Sequence, residues 1–150
     1  MRRDYVTLEL RHVDRDGDRL PTAVLRYDGP STLLEERLTD AGGEPLGRER
    51  VDIAFRLRTA DGDATGVFSL TNRLTGEFVV EVNADAESVR ELVDAARRDD
   101  DPDDADGCYR VVVERDGEAV ASYEKRTLLV YDDEGGLLRQ HSLIPSGVEL

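Results

Sequence analysis

The chain has 150 residues, enough for one domain with a sizeable core, and carries a net charge of −14 at pH 7. Such a field repels phosphate backbones and anionic lipid surfaces, so neither nucleic acid nor a membrane is an expected partner. The one cysteine, Cys108, excludes an internal disulfide and a cysteine-built zinc site.

The types of charged residue point to the solvent around the protein. Aspartate supplies 20 of the 34 acidic residues, and arginine supplies 19 of the 20 basic ones. Short carboxylates are tightly hydrated, whereas lysine adds a long apolar stem to a surface. Because the Debye length in molar salt is only about 3 Å, so large a charge costs little there. We therefore expect a cytoplasmic, salt-adapted protein, although GC-rich codons would also favour arginine.

Alternating apolar and polar residues predict strands along most of the chain. The strand at 5–12 places Val6, Leu8 and Leu10 inward, with His12 continuing that face as a hydrogen-bonded edge of the core. The clearest strand is 51–58, with Val51, Ile53, Phe55 and Leu57 on one face; that at 77–82 turns Phe78, Val80 and Val82 inward, and that at 109–114 turns Tyr109, Val111 and Val113 inward. Further strands are expected near 21–27, 66–71, 118–125, 127–132 and 137–143.

Two segments show helical spacing instead. The first, 30–43, has Ser31 or Thr32 as its cap, and the second, 84–98, carries one apolar stripe. The members of that stripe are Val89, Leu92, Val93 and Ala96.

Short Asp/Gly turns between the strands favour antiparallel hairpins. The sequence thus predicts an α+β fold, with a mainly antiparallel sheet of about nine strands and two helices packed on one face. We expect a single domain over 1–150, with an exposed acidic loop at 98–107. The alternative is a boundary at that loop, with 107–150 as a separate unit.

The aspartate-rich turns suggest calcium, but their spacing does not fit it. An EF-hand loop needs glycine at position six and glutamate at position twelve. "DGDATG", counted from Asp61, has Asn72 at position twelve, and "RDDDPDDADG" (98–107) satisfies both requirements from no starting point. We interpret them as turns or solvated loops and expect neither a metal nor a cofactor, although weak cation binding stays open.

Catalytic residue types are scarce. The chain has two histidines, His12 and His141, and none of its serines lies in a G-x-S-x-G elbow. No catalytic residue is assigned. The sequence leaves open an enzyme or small-molecule-binding domain with a pocket beside the last strand, using Arg139 and His141.

The segment 137–150, "LLRQHSLIPSGVEL", differs in character from the rest of the chain. It contains one acidic residue, Glu149. Its apolar residues either complete the sheet and cover the core, or form a docking surface for a partner protein or a second subunit. The residues that would form such a surface are Leu143, Ile144, Val148 and Leu150. A non-enzymatic interaction module is therefore the leading hypothesis.

Four stretches resemble a small family of proteins of unknown function from halophilic archaea. They are "MRRDYVTLEL", "LLEERLTDA", "TGEFVVEVNAD" and "LLVYDDEGGLLRQHSLIPSGVEL", the last being the most specific. The resemblance implies an archaeal cytoplasm of high salt and supplies no activity, substrate or catalytic residue.

Overall fold

Eight strands and two helices are present in the computed structural model, which describes residues 6–13, 20–40, 42–58, 64–96 and 108–144. The helices are α1 (Ser31–Arg37) and α2 (Ala86–Ala96). The strands are β1 (Val6–Arg11), β2 (Thr22–Tyr27), β3 (Val51–Leu57), β4 (Thr65–Asn72), β5 (Phe78–Asp85), β6 (Tyr109–Arg115), β7 (Glu118–Lys125) and β8 (Leu129–Tyr131).

The strands form two mixed sheets of four, which confirms the α+β class and corrects the expectation of one sheet with nine strands. Sheet 1 has the order β1-β2-β6-β7, and sheet 2 has the order β5-β4-β3-β8. Each sheet contains one parallel pair, β2 with β6 and β3 with β8. These pairs join strands far apart in the chain, so the turn residues that predict hairpins carry no signal for them.

The ninth expected strand, 137–143, is replaced by two single bridges around a short 3₁₀ turn (Arg139–His141). Leu137 bridges Tyr131 and Leu143 bridges Leu128, so this segment runs back along the outer side of β8. It adds only isolated pairings because the backbone between the bridges closes turn bonds instead, such as Ser142 N–H to the carbonyl of Arg139.

One cluster of buried side chains includes residues from both sheets and both helices. The predicted stripe of α2 lies in this cluster, and so do the apolar residues of β3 and β6 that alternate with charged ones. The largest fully buried members are Tyr109, Phe55, Phe68, Leu25, Leu34, Leu70, Leu92 and Leu128. Strands β6 and β8 pair with strands from the first 60 residues, as one domain requires. The domain assignment itself stays a prediction, as does the packing of both helices on one face.

Two inward-facing residues were predicted wrongly, each because the backbone departs from regular alternation. Phe78 is 48% exposed, since the pairing of β5 with β4 slips beside it and both Val79 and Val80 become buried. His12 follows β1 with a φ of 59° and is exposed. A left-handed residue turns the chain, so His12 does not continue the inward face of the strand.

Helix α1 is shorter than the predicted 30–43 and has Pro30 as its N-cap residue, with no side-chain cap. The helix ends at Arg37, with Leu38 as its C-cap residue, because the chain reverses there. The side chain of Asp40 accepts backbone N–H groups from Gly42 and Glu44, and Leu46 N–H donates back to the carbonyl of Leu38 at 2.8 Å.

Two side chains bring the end of β7 and the entry to β8 close to the core. Lys125, the chain's one lysine, donates from Nζ to the carbonyl oxygen of Val51 at 2.7 Å, tying β7 to the start of β3. Tyr109 is fully buried and donates its hydroxyl to the carbonyl oxygen of Thr127 at 2.6 Å. Burial raises the pKa of the Tyr109 phenol well above its usual value of 10.0. These two hydrogen bonds thus fix the position of the chain where it enters β8.

Candidate functional site

The first candidate site is the β8 flank, which we define as residues 137–144 packed beside β8. Its base is held by reciprocal backbone bonds between Leu128 and Leu143, at 2.9 and 2.8 Å. Leu143 is only 3% exposed and belongs to the core cluster. Of the two alternatives that the sequence leaves for this segment, Leu143 follows the one in which the segment covers the core.

Ser142 holds the flank to β8 from within. Its hydroxyl accepts the backbone N–H of Val130 at 2.9 Å and donates to the carbonyl of Leu138 at 2.8 Å. The residue is 2% exposed. One buried hydroxyl thus satisfies a strand donor and a turn acceptor together. The sequence indicates no role for Ser142, because serine in a polar turn carries no pattern that distinguishes it.

Of the other predicted docking residues, one lies within the described part of the chain and two lie outside it. Ile144 is half-buried and follows directly after the anchored Leu143. Val148 and Leu150 lie outside the described residues. A docking surface at this place stays a prediction, and its described part consists of Ile144 on a fixed base.

The proposed pocket residues Arg139 and His141 both lie in the 3₁₀ turn of the β8 flank. Arg139 is exposed, whereas His141 is half-buried and lines a crevice between this turn and α2. That crevice holds about 10 Å³, which is about the space of one water molecule. Its other lining residues are Phe55, Leu57, Ala86, Val89, Arg90, Val130 and Leu138.

The second candidate site is the outer face of sheet 1, opposite the core. Four side chains there form what we call the ion-pair ring: Glu9 and Arg11 of β1, Arg26 of β2 and Glu114 of β6. Each arginine contacts both glutamates, at N–O distances of 2.7 to 3.8 Å. A separate cross-strand pair, Arg110 with Glu124 at 2.9 Å, lies farther along the same face.

The charges of these paired side chains cancel, in a chain of net charge −14. The three arginines, at 11, 26 and 110, balance the three glutamates, at 9, 114 and 124. Sequence alone could not reveal the ring, because it depends on the parallel register that sets Arg26 opposite Glu114.

A hollow of about 480 Å³ opens beside the ring, at the end of the face where β1 finishes. Arg11, Thr22 and Arg110 occupy one register row across three strands, so the short side chain of Thr22 separates two long ones. His12 completes the polar part of the wall. The apolar part is formed by Leu20, Val24 and Val112.

The described residues contain neither a cluster of metal-binding side chains nor a helix that could span a membrane. Within those ranges, no group of three or more His, Cys, Asp or Glu side chains is placed to hold a metal ion. Asp61 and the acidic loop 98–107 lie outside them. No helix in the described part of the chain is both long and apolar enough to cross a membrane.

Comparison with known proteins gives one result. A family model described as a family of unknown function, DUF5793, matches residues 1–150. The chain belongs to this family. Neither the curated proteins nor the solved structures gave a match.

Proposed function

We propose that this protein is a non-enzymatic interaction module of the cytoplasm of a halophilic archaeon, acting as one domain. It binds another protein, or a second copy of itself, through Ile144 and the residues after it. The observation that carries the proposal is the anchoring of Leu143, whose paired backbone bonds to Leu128 fix the point from which Ile144 emerges. In this arrangement Leu143 is the buried anchor and not a contact residue.

The charge distribution supports docking at this place. Residues 137–150 contain one acidic residue, in a chain where 34 of 150 are acidic. The centres of protein interfaces are depleted in charged residues, because each buried charge must be stripped of water. A segment almost free of acids therefore suits contact with a protein far better than the rest of this surface does.

The same composition supports the proposed high-salt cytoplasm. The ion pairs at Glu9, Asp52 and Glu124 are made by arginine, whose guanidinium loses hydration more readily than the lysine ammonium. Most of these pairs are well exposed, like Arg73 with Asp52, and each stabilises the fold by only about 0–1 kcal/mol. Ion pairing thus offsets little of the repulsion among the excess negative charges, so screening by salt must reduce the rest.

Truncation tests the docking proposal, provided that it spares the anchor. A deletion of 145–150 combined with Ile144→Glu leaves Leu143 and its bonds in place. Sedimentation in molar KCl measures self-association, and affinity capture from a native high-salt lysate, followed by mass spectrometry, measures partners. We expect the variant to lose the complex that the intact chain forms.

The matched control is Leu74→Ser, which removes an apolar side chain that is 70% exposed on the β4–β5 turn. This control should keep the complex. If the truncated chain folds normally and retains the same complex, the docking proposal is wrong.

A further inference from the structure

The hollow on the outer face of sheet 1 has a lining unlike the rest of this surface. Among the described residues, its lining contains three basic side chains, Arg11, His12 and Arg110, and no acidic one. In a chain where nearly a quarter of the residues are Asp or Glu, such a wall repels an anion less than an acidic wall would. The hollow is separate from the β8 flank, so a ligand bound in it would be independent of the docking proposal.

The spacing of the two arginines suits a group held between them. Neighbouring strands are about 4.8 Å apart, so residues two strands apart in one row have backbones about 10 Å apart. Arg11 lies on β1 and Arg110 on β6, with β2 between them. Thr22 fills little of that gap, and its hydroxyl already donates to the carbonyl of Leu20 at 3.0 Å.

Arg110 retains hydrogen-bonding capacity for a ligand. A guanidinium carries five N–H groups, and the ion pair of Arg110 with Glu124 uses its Nη2 nitrogen. The Nε and Nη1 groups are left to meet an oxyanion, for which guanidinium geometry is well suited. Arg11 is more committed, since it contacts both Glu9 and Glu114. Arg110 is therefore the main donor of this hollow.

The size and floor of the hollow indicate more than a bare ion. Its volume of about 480 Å³ is in the range of small-molecule sites, about 300–1,000 Å³. Val24 and Val112 are register partners on β2 and β6; Val24 is fully buried, so the half-buried Val112 gives the hollow its accessible apolar floor. An organic body over Val112 would be partly removed from water while its charged end meets the arginine.

We propose that this hollow binds a small organic oxyanion, a carboxylate or a phosphate monoester with a short apolar body. The charged end lies between Arg110 and Arg11, beside His12, and the apolar body lies on Val112.

Titrating the full chain in molar KCl with benzoate and with phenyl phosphate tests this assignment, and the two probes separate the carboxylate from the phosphate source. Phenol and inorganic phosphate serve as comparisons that lack either the charge or the apolar body. Nuclear magnetic resonance follows the Arg110 Nε–H and the His12 ring. We expect saturable shifts of both signals at millimolar concentrations of at least one of the two organic anions. Phenol should give none, and inorganic phosphate should bind more weakly.

Arg110→Gln should weaken binding about tenfold, the loss of one charge-assisted hydrogen bond. The matched control is Arg73→Gln, because Arg73 is likewise an exposed arginine on one carboxylate, Asp52, but lies on sheet 2. The control should bind as the intact chain does. Failure of both organic anions to shift Arg110, equal binding of inorganic phosphate, or equal weakening by Arg73→Gln would each overturn the assignment.

Discussion

The outer face of sheet 1 and the β8 flank are stabilised by different interactions. Ion pairs hold the first, and buried hydrogen bonds hold the second. The sheet face keeps its charges and balances them, with Glu114 facing Arg11 and Arg26. The flank contains almost no charge and satisfies its backbone through the Ser142 hydroxyl and the Leu143 bonds. The strength of ion pairs depends on the salt concentration. Buried hydrogen bonds and apolar contacts are instead weakened when a mutation removes one of the two partners.

Removing the anchor of the β8 flank, Leu143, should lower the free energy of unfolding the most. Leu143→Ala deletes a side chain that is 3% exposed, and such truncations destabilise by about 2–5 kcal/mol. Urea unfolding of the variant measures this directly. Ile144→Ala, one residue on and half-buried, should cost clearly less. Equal losses at both positions would mean that Leu143 is not the anchor.

Ser142→Ala should be next in size. It leaves the N–H of Val130 and the carbonyl of Leu138 without their hydroxyl partner in a buried place, for about 1–3 kcal/mol. The matched control is Ser122→Ala on β7, where the serine is exposed and a change within about 0.5 kcal/mol is expected. A Ser142 variant as stable as its control would show that the hydroxyl does not hold the flank.

Alkaline pH tests the junction between the two regions, where Tyr109 donates to Thr127. Burial raises the folded-state pKa of Tyr109 above 10.0, so its phenol ionises first in the unfolded chain. Stability is therefore fully present below pH 10 and falls as pH rises above it, by up to about 1.4 kcal/mol per unit. Melting curves across this range should show a shallower fall for Tyr109→Phe, and an unchanged slope would contradict the burial.

The smallest effect is expected at the ion-pair ring. Glu114→Gln removes one carboxylate from two arginines and should cost about 1 kcal/mol or less at about 0.1 M salt. The cost should shrink in molar KCl, since the charges it removes are then screened. Glu118→Gln, at an exposed site on β7, provides the baseline. A cost that grows with salt would refute the electrostatic origin of the ring.

Local structure was the part that the sequence could predict. Val51, Ile53 and Phe55 alternate with charged neighbours and are buried as expected. One of the short Asp/Gly turns, RDG at 115–117, joins β6 to β7 and has Asp116 and Gly117 both at positive φ, as a tight hairpin requires. Each of these signals lies within a few residues of chain, where spacing and turn chemistry decide the outcome.

Long-range pairing was the part that the sequence could not predict. The parallel neighbours β2 and β6 begin almost 90 residues apart, and nothing in Thr22–Tyr27 indicates which later strand will lie beside it. Both the ring and the hollow depend on that pairing, so neither could be foreseen. The sequence shows that 137–150 is poor in acidic residues, but the burial of Leu143 and the role of Ser142 depend on contact with β8.

The most direct test of a surface built for high salt is the melting temperature of the intact chain as KCl is lowered. Between molar salt and about 0.1 M, the Debye length grows from about 3 Å to about 10 Å, and repulsion among charges that sum to −14 is no longer screened. We expect the melting temperature to fall steadily across this range. A melting temperature that stays constant would contradict the account.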